Sequence, residues 1–236
     1  MRAYALQLKN KKPYEKNLEE LLEIIASLPK DALIVAPEVC LTDYDYENLD
    51  EACKFGEYAL QELLKVIDEQ IVALTLLLKE NGKAVNKAVV LHRGKIVHSQ
   101  NKAKLFKLGN EHHYLEAGKV EDIKTFEING IKFGLLICFE LRYKELWERL
   151  EGADIILLPS QWGLPRKRHL EILSHALAVM NQCFVVVSNS SKEDMASSSA
   201  IYTPTGGKNI NDYARVIESK LDFKELKFMR RYLVLS

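Results

Sequence analysis

The sequence predicts an α/β fold in which helices cover apolar strands and in which parallel and antiparallel strands occur together. Three observations lead to this prediction. Apolar residues change along the chain between the alternation typical of strands and the spacing of three and four typical of helices. Residues 71–78 form a continuous apolar run, which suits a strand buried on both faces. Asn-Gly and Arg-Gly pairs between short β-rich segments indicate tight antiparallel hairpins.

The first third of the chain contains two predicted β-α-β steps. Its first strand follows from the alternation of Tyr4, Leu6 and Leu8, and its first helix from leucine and isoleucine residues at helical spacing. The predicted elements are a strand at 4–8, a helix at 18–25, a strand at 33–36, a helix at 60–67 and a strand at 71–78.

The middle of the chain is predicted to be antiparallel, because the pairs at 81–82, 93–94 and 129–130 supply the positive φ angles that tight hairpins need. Helices and strands then alternate again. Active residues are expected at strand ends and in loops, where layered α/β folds place their sites. The predicted elements here are a strand at 131–138, a helix at 145–150, a strand at 154–158, a helix ending near 181 and a strand at 184–187.

Composition indicates a globular protein that acts on a small molecule. At 236 residues and 47% hydrophobic content, the chain can form a sizeable core. We expect one domain over residues 1–236, because no linker-like or repeated segment divides them. Basic and acidic residues number 33 each, so no overall charge favours nucleic acid or an anionic membrane surface.

The N-terminus and the cysteines bear on the expected compartment. Residues 1–8 make too short an apolar segment for a signal peptide, and no apolar run approaches membrane-spanning length. We therefore expect a cytoplasmic protein. The cysteines have neither the paired spacing of a zinc site nor the density of a disulfide scaffold. Reduced thiols are expected at Cys40, Cys53, Cys138 and Cys183.

The sharpest chemical feature lies at residues 134–143. An apolar stretch, Gly-Leu-Leu-Ile, ends in Cys138 and passes directly into charged sequence, so the turn can present a thiol to a pocket. A free cysteine is also a common core residue. Position alone leaves both interpretations open.

Two further segments favour the functional interpretation. Glu38 follows Pro37 at the end of an apolar strand, which is a costly place for a charge. Lys102 stands shortly before Leu105-Phe106, and Glu111 follows within the next ten residues. Alone, such a lysine would be ordinary surface charge.

Taken in order, these segments resemble the nitrilase-like carbon–nitrogen hydrolases, which use a Glu-Lys-Cys triad. The resemblance continues through Leu-Pro-Ser-Gln-Trp at 158–162 to the hairpin that closes near residue 206. It implies a four-layer α-β-β-α sandwich of two mixed β-sheets flanked by helices. Glu140 departs from the family pattern, which commonly has Asp at this position.

The resemblance also implies a role for each matching residue. Cys138 is expected to be the nucleophile, Glu38 the general base and acid, Lys102 the oxyanion partner and Glu111 a supporting carboxylate. The backbone N–H of Phe139 is a second candidate oxyanion donor. The family needs no metal or organic cofactor, and a homodimer formed by packing α layers together is expected.

The expected reaction is hydrolysis of a small carboxamide, such as an ω-amide, through a cysteine thioester to a carboxylic acid and ammonia or an amine. N-carbamoyl hydrolase and nitrilase activities are alternatives within the same family. The surrounding loops would set the specificity. The expected substrate-binding residues are Phe139, Trp162, His113 and Tyr44.

Some residues near the site carry a structural alternative. Trp162 is equally a candidate core residue. Arg142 is expected to brace Glu140 or a helix end by charge-assisted hydrogen bonds, whereas Arg166 and Arg168 are candidates to meet an anionic substrate.

Three other functional interpretations stay open. Six histidines offer bases for a Cys–His hydrolase, although none has a distinctive context. The pair His112-His113 is a candidate for metal binding, but no ligand set stands at recognisable spacing. A binding module that keeps this fold without turnover belongs to another class, and the presence of acid, base, cation and thiol together speaks against it.

Overall fold

Two β-sheets of six strands each, with helices on their outer faces, form the protein in the computed structural model, which describes residues 1–234. The helices are α1 (Glu15–Ser27), α2 (Leu49–Val66), α3 (Glu111–Tyr114), α4 (Lys144–Glu148), α5 (Lys167–Met180) and α6 (Phe223–Tyr232). The strands are β1 (Arg2–Leu6), β2 (Leu33–Val35), β3 (Ile71–Glu80), β4 (Lys83–His92), β5 (Lys95–Asn101), β6 (Phe126–Ile128), β7 (Ile131–Leu135), β8 (Ile155–Pro159), β9 (Phe184–Ser188), β10 (Ala200–Tyr202), β11 (Lys208–Ile210) and β12 (Val216–Lys220).

Both sheets mix parallel and antiparallel strands. The first has the order β12-β1-β2-β3-β4-β5, in which β1, β2 and β3 run parallel and β3, β4 and β5 form an antiparallel meander. The second has the order β11-β10-β9-β8-β7-β6, with β7, β8 and β9 parallel and antiparallel strands on either side. The two predicted β-α-β steps and the antiparallel middle are confirmed.

Apolar residues fill the spaces between the four layers. Val35 of the first sheet and Leu157 of the second belong to the buried cluster between the sheets. Ile34, the neighbour of Val35, points to the opposite face and packs with Leu63 of α2. Leu177 of α5 is buried against the second sheet. This arrangement is the expected α-β-β-α sandwich.

The three predicted hairpins are confirmed. Asn81 and Gly82 join β3 to β4 with φ angles of 50° and 79°. The pairs at 93–94 and 129–130 join the next two hairpins and also have positive φ at both residues. Two central residues at positive φ match the turn type whose twist fits antiparallel strands.

Helix α2 begins at Leu49, well before residue 60, where the sequence pattern predicted it. Its first turns bury small residues such as Ala52 and Gly56, which carry little apolar signal. A Cβ at Gly56 would lie 2.2 Å from the backbone oxygen of Leu77, so the helix packs directly on β3. Here the helix and the strand touch through their backbones. The sequence pattern depends on large apolar side chains and therefore does not detect this part of the helix.

The strand predicted at 131–138 is also wrong at its end. β7 stops at Leu135, and a short 3-10 helix runs from Cys138 to Arg142. Leu136 and Ile137 are fully buried although they lie outside the strand. An apolar pattern reports burial, not strand pairing, and it therefore extends past the end of the strand.

No helix within residues 1–234 is both long enough and apolar enough to cross a membrane.

Candidate active site

The candidate site lies where strands of both sheets end. Glu38 follows β2 and Lys102 follows β5 in the first sheet, whereas Cys138 follows β7 and Gln161 follows β8 in the second. The backbone N–H of Glu38 donates to the oxygen of Ser160 over 3.1 Å, which ties the two sheets together at this point. Chemical groups from distant parts of the chain therefore meet at one edge of the sandwich.

Lys102 lies between two carboxylates in the interior. Its Nζ donates to Oε1 of Glu38 over 2.8 Å and to Oε1 of Glu111 over 2.7 Å. All three side chains are buried, and Lys102 is 0% exposed. The other oxygen of Glu111 accepts the backbone N–H of Phe106 over 3.0 Å. A buried ammonium with two carboxylate partners keeps its charge at a fixed position.

Tyr44 and Asn86 complete this network. The Tyr44 hydroxyl donates to Oε1 of Glu38 over 2.7 Å and accepts from Nζ of Lys102 over 3.1 Å. The side-chain amide of Asn86 donates to the same Glu38 oxygen over 2.9 Å. Oε1 of Glu38 thus accepts three hydrogen bonds, while its Oε2 is buried without a partner in residues 1–234.

Electrostatics keep Lys102 protonated. Burial lowers the pKa of Lys102, but the charges of Glu38 and Glu111 outweigh burial and raise the pKa above its usual value. Burial raises the pKa of Glu111, and the Lys102 charge offsets part of that rise. Burial together with the charge of Glu38 also raises the pKa of the Tyr44 hydroxyl. The network is therefore a coupled set of charges.

Cys138 is the first residue after an irregular stretch that follows β7, and its φ is 49°. Burial raises the pKa of its thiol, and the nearby charge of Glu38 raises it further, whereas Lys102 lowers it. The backbone N–H of Gln161 donates to Sγ over 3.5 Å. The thiol is thus neutral at rest and lies close to both ionic side chains.

Glu140 fastens the turn that carries the thiol. Its two carboxylate oxygens accept the backbone N–H groups of Ile137 and Ala103, each over 2.7 Å. These two residues are direct neighbours of Cys138 and Lys102. Burial raises the pKa of Glu140 to about 7 even though the two N–H groups favour the ionised form. Glu140 therefore joins the segment that carries Lys102 to the segment that carries Cys138.

A cavity opens beside the thiol, with a free volume of about 230 Å³, part of it open to solvent. The guanidinium groups of the two arginines that line it lie over aromatic rings. Arg142 lies 4.7 Å from the centroid of the Trp162 ring. Arg166 lies 5.0 Å from the centroid of the Phe106 ring. The lining residues are Phe106, Cys138, Phe139, Arg142, Gln161, Trp162 and Arg166.

The structure brings the four predicted catalytic residues together. Glu38, Lys102 and Glu111 are joined by hydrogen bonds, and Cys138 lies within range of the charges of Glu38 and Lys102. Among the predicted substrate-binding residues, Tyr44 joins the same network through its hydroxyl.

The other predicted binding residues divide into two groups. Phe139 and Trp162 line the cavity, and Trp162 is also largely buried. His113 is exposed, and its ring lies against that of His112 at a tilt of 39°, with the ring centroids 3.9 Å apart. It is not among the residues around Cys138, so the structure gives it no place in the cavity. Glu111, two residues earlier in the same short helix, is buried, because a helix turns successive side chains in different directions.

The expected bracing of Glu140 by Arg142 is wrong. Glu140 is held by backbone N–H groups, whereas Arg142 donates to Nδ1 of His169 over 2.9 Å and stacks on Trp162. Backbone donors next to the buried carboxylate satisfy it locally. The arginine is therefore left at the cavity.

Sequence reasoning did not assign roles to Asn86 and Gln161. Asn86 stands in β4 among alanine and valine residues, and a fully buried amide in such a strand is a signal that could have found it. Gln161 follows the apolar strand β8, and its side chain donates to Oδ1 of Asp43 over 2.7 Å. That hydrogen bond depends on the folding of a distant loop, so no local pattern shows it.

The histidines do not line the cavity beside the thiol. None of the residues that surround Cys138 in the cavity is a histidine. Within residues 1–234, no group of three or more His, Cys, Asp or Glu side chains is arranged to hold a metal ion.

A comparison with protein families matches residues 2–208 to the model described as carbon-nitrogen hydrolase. Among curated proteins, 2-oxoglutaramate amidase of Bacillus subtilis (strain 168) is 34% identical over 186 residues, which cover 74% of this chain and 71% of that protein. Deaminated glutathione amidase of Escherichia coli O157:H7 is 28% identical over 207 residues, which cover 82% of this chain and 79% of that protein.

A solved structure shows the same fold. XC1258 from Xanthomonas campestris, described as a CN-hydrolase superfamily protein, matches with a TM-score of 0.85 at 20% identity. The match covers 99% of this chain and 94% of that chain. At this identity the likeness concerns the fold alone, and it agrees with the two mixed sheets and their outer helices.

Proposed function

Since the chain belongs to the carbon–nitrogen hydrolase family, we propose that it hydrolyses a small carboxamide through a thioester on Cys138. The products are a carboxylic acid and ammonia or an amine. The observation that carries the proposal is that the Cys138 thiol, which lines a cavity, lies near a buried ammonium and a buried carboxylate, one oxygen of which has no hydrogen-bond partner within residues 1–234.

The first step forms the thioester. Oε2 of Glu38 takes the proton of the Cys138 thiol while Sγ attacks the carbonyl carbon, because this oxygen has no other hydrogen-bond partner in residues 1–234. The raised pKa of the thiol makes such a base necessary, since little thiolate exists at rest. A tetrahedral intermediate with a negative oxygen results.

Lys102 and the backbone N–H of Phe139 are the proposed donors to that oxygen. All three N–H groups of Lys102 have partners, and the hydrogen bond to the Tyr44 hydroxyl, at 3.1 Å, is the longest. We infer that Lys102 exchanges this neutral partner for the oxyanion while its two carboxylate partners hold it in place. Losing one oxyanion donor typically costs about 100- to 1,000-fold in rate.

The second half of the reaction returns the protein to its starting state. The protonated Glu38 gives its proton to the leaving nitrogen as the C–N bond breaks, and the free carboxylate then takes a proton from water. The resulting hydroxide attacks the thioester, and the C–S bond breaks to release the acid. Sγ recovers its proton from Glu38, so one water molecule is consumed in each cycle.

The names of two relatives support a small carboxamide as the substrate. One is named for 2-oxoglutaramate and the other for deaminated glutathione, and both are named as amidases. The space beside the thiol is small, since its free volume of about 230 Å³ already includes a part that is open to solvent, and this suits a molecule of modest size. Terminal ω-amides of short acids are therefore the first substrates to test.

Ammonia release tests the proposal. Wild type, Cys138→Ser and Cys138→Ala are incubated with panels of small carboxamides, N-carbamoyl amino acids and nitriles. We expect ammonia from carboxamides with wild type and none above background with either variant. Cys53→Ala, which changes a buried cysteine in α2, is the matched control and should keep its turnover per folded molecule.

The other outcomes are equally informative. Turnover by folded Cys138→Ala would exclude Cys138 as the nucleophile. Release confined to N-carbamoyl amino acids or to nitriles would replace the carboxamide with that class. A folded wild type that acts on none of the three panels would contradict the proposal.

Two further expectations belong to the same proposal. We propose that the chain forms a homodimer through its α layers, where Ile172 and Met180 of α5 are 58% and 62% exposed. Light scattering of purified protein measures this, and a monomer at micromolar concentration would contradict it. A cytoplasmic location is proposed from the reduced state expected of the cysteines, and cell fractionation would test it.

A further inference from the structure

The side-chain amide of Gln161 has two ends with different surroundings. Its nitrogen donates to Oδ1 of Asp43 over 2.7 Å. Its oxygen, Oε1, is buried and has no hydrogen-bond partner in the part of the chain that the structure describes, residues 1–234. A buried carbonyl oxygen without a partner is unfavourable in a folded protein, so this oxygen is a candidate acceptor for a bound molecule.

Asp43 determines which end of the Gln161 amide stays free. The other oxygen of Asp43, Oδ2, accepts from Nζ of Lys192 over 2.9 Å. Burial raises the pKa of Asp43, but the hydrogen bonds from Gln161 and Lys192 outweigh burial and lower the pKa below its usual value. The carboxyl is therefore ionised at neutral pH and can only accept hydrogen bonds. It has to face the nitrogen of the Gln161 amide, which leaves the oxygen available.

Gln161 extends from the thiol toward the loop that contacts Glu38. Its backbone N–H donates to Sγ of Cys138 over 3.5 Å, and the residue lines the cavity beside the thiol. The far end of its side chain is bound to Asp43, and the next residue, Tyr44, donates to Oε1 of Glu38 over 2.7 Å. The side chain therefore lies on the side of the thiol from which Glu38 carries protons in the proposed mechanism.

The leaving nitrogen of the substrate needs an acceptor in this region. In a primary carboxamide this nitrogen carries two hydrogens, and it takes a third from Glu38 as the C–N bond breaks. An N–H group that moves from water into a buried site requires a new acceptor. Lys102 offers only donors, and Glu38 is itself the donor at this step. The free carbonyl oxygen of Gln161 meets the requirement.

We propose that Oε1 of Gln161 accepts a hydrogen bond from the leaving nitrogen of the substrate, and that Asp43 is the positioning residue that orients the amide. Resting on the amide hydrolysis proposed above, this contact makes the site selective for a leaving group that carries N–H. Carboxamides are then preferred over esters of the same acid. Gln161 only accepts a hydrogen bond, so no proton is transferred to it.

Two substrates with the same acyl group test this contact. Pentanamide has two N–H groups on its leaving nitrogen, whereas methyl pentanoate has none on its leaving oxygen. Both form the same thioester, so they differ only in the leaving group. Gln161→Met keeps the backbone N–H that contacts the thiol and removes the strong acceptor. In this variant, the ratio of kcat/KM for pentanamide to that for methyl pentanoate should fall about 10- to 100-fold.

Gln61→Met is the matched control. Gln61 is an exposed residue of α2, so its replacement should leave the ratio as in wild type. Asp43→Asn tests the orienting role separately. Asparagine can donate to the Gln161 oxygen, which allows the Gln161 amide to reverse its orientation, and we expect the ratio to fall at least about fivefold.

Failure of this contact and failure of amide hydrolysis are distinguishable. If wild type hydrolyses pentanamide and Gln161→Met loses the same factor on both substrates, the contact is overturned and amide hydrolysis stands. An unchanged ratio in Asp43→Asn would overturn the orienting role. Hydrolysis of the ester alone by wild type would overturn the contact.

If wild type hydrolyses neither substrate, calorimetric titration of Cys138→Ala with pentanamide decides the matter. Binding that weakens at least about tenfold on adding Gln161→Met supports the contact. Unchanged or absent binding overturns it.

Discussion

The two oxygens of the Glu38 carboxylate have different surroundings, and the difference determines what each can do. Oε1 accepts hydrogen bonds from Tyr44, Asn86 and Lys102, whereas Oε2 has no partner within residues 1–234. The first oxygen fixes the position of the carboxylate, and the second is free to accept a proton. Position and reactivity are thus divided between two atoms of one side chain.

Glu38→Gln should remove turnover while leaving the fold in place. Glutamine has nearly the same shape but cannot carry a proton between thiol, leaving nitrogen and water. We expect kcat/KM to fall about 100- to 10,000-fold, measured by ammonia release, with an unchanged circular dichroism spectrum. Glu47→Gln, on the exposed part of the following loop, is the control. Activity within tenfold of wild type would exclude Glu38 as the proton carrier.

Tyr44→Phe separates a positioning role from substrate contact. The variant removes one hydroxyl that Glu38, Lys102 and Asn86 share. We expect kcat to fall about tenfold with little change in KM, since the hydroxyl orients catalytic groups. A rise in KM at constant kcat would instead support the substrate-binding role expected from the sequence. Tyr46→Phe removes a hydroxyl whose one described hydrogen bond is long, at 3.4 Å, and serves as the control.

At the scale of the elements, the loops that follow the strands determine where the side chains of the candidate site lie. Cys138 and Lys102 follow strands of different sheets, and Glu140 joins their segments through the N–H groups of Ile137 and Ala103. Aspartate, which is common at this position in the family, is one methylene shorter. The turn here is therefore built around a longer carboxylate.

The stability of this turn should depend on pH. Burial raises the pKa of Glu140 to about 7, so between its ordinary value and pH 7 the folded protein keeps a proton that the unfolded chain releases. The free energy of unfolding must then fall as the pH rises through this window. Across the whole window the free energy of unfolding falls by about 3 kcal/mol. Below and above the window, Glu140 adds no further pH dependence.

Glu140→Gln isolates that contribution, because glutamine does not titrate. Urea unfolding of wild type and variant between pH 5 and pH 8 gives the difference in their free energies of unfolding, in which all other groups cancel. We expect wild type to lose stability relative to the variant as the pH rises to about 7. A difference that does not change with pH would show that burial does not control this carboxyl.

Elements with a local signal were predictable from the sequence, and those set by tertiary contacts were not. The apolar run of β3 and the hairpin at Asn81-Gly82 appeared as expected, because burial and positive φ leave direct marks on residue types. The start of α2 was missed because Gly56 packs backbone on backbone. His113 was misplaced because the face of a one-turn helix cannot be inferred from four residues.

At the scale of the whole molecule, the site requires both sheets. The resemblance that short motifs indicated is confirmed by the family match, and the order of Glu38, Lys102 and Cys138 along the chain carried it. Hydrogen bonds also cross between the sheets: the N–H of Ser199 donates to Oε1 of Gln7 over 2.9 Å. The contacts of the two arginines with aromatic rings had no sequence signal, since each pair joins distant segments.

We therefore expect the chain to unfold as one unit. Leu157→Ala removes a buried side chain between the sheets and should lower the free energy of unfolding by about 2–5 kcal/mol. Circular dichroism and residual ammonia release, followed in urea, should lose signal at the same midpoint in wild type and together at a lower one in the variant. Activity lost well before secondary structure would contradict a single cooperative unit.

Cys138 has a left-handed backbone conformation, with a φ of 49°. The residue proposed as the nucleophile therefore lowers the stability of the folded protein. A residue with a Cβ is strained there by about 1 kcal/mol, whereas glycine is not. Cys138→Gly should consequently be more stable than Cys138→Ala, even though neither can turn over substrate. A directed-evolution experiment that selects only for heat resistance would therefore tend to discard the nucleophile, and only a selection that also requires activity would retain it.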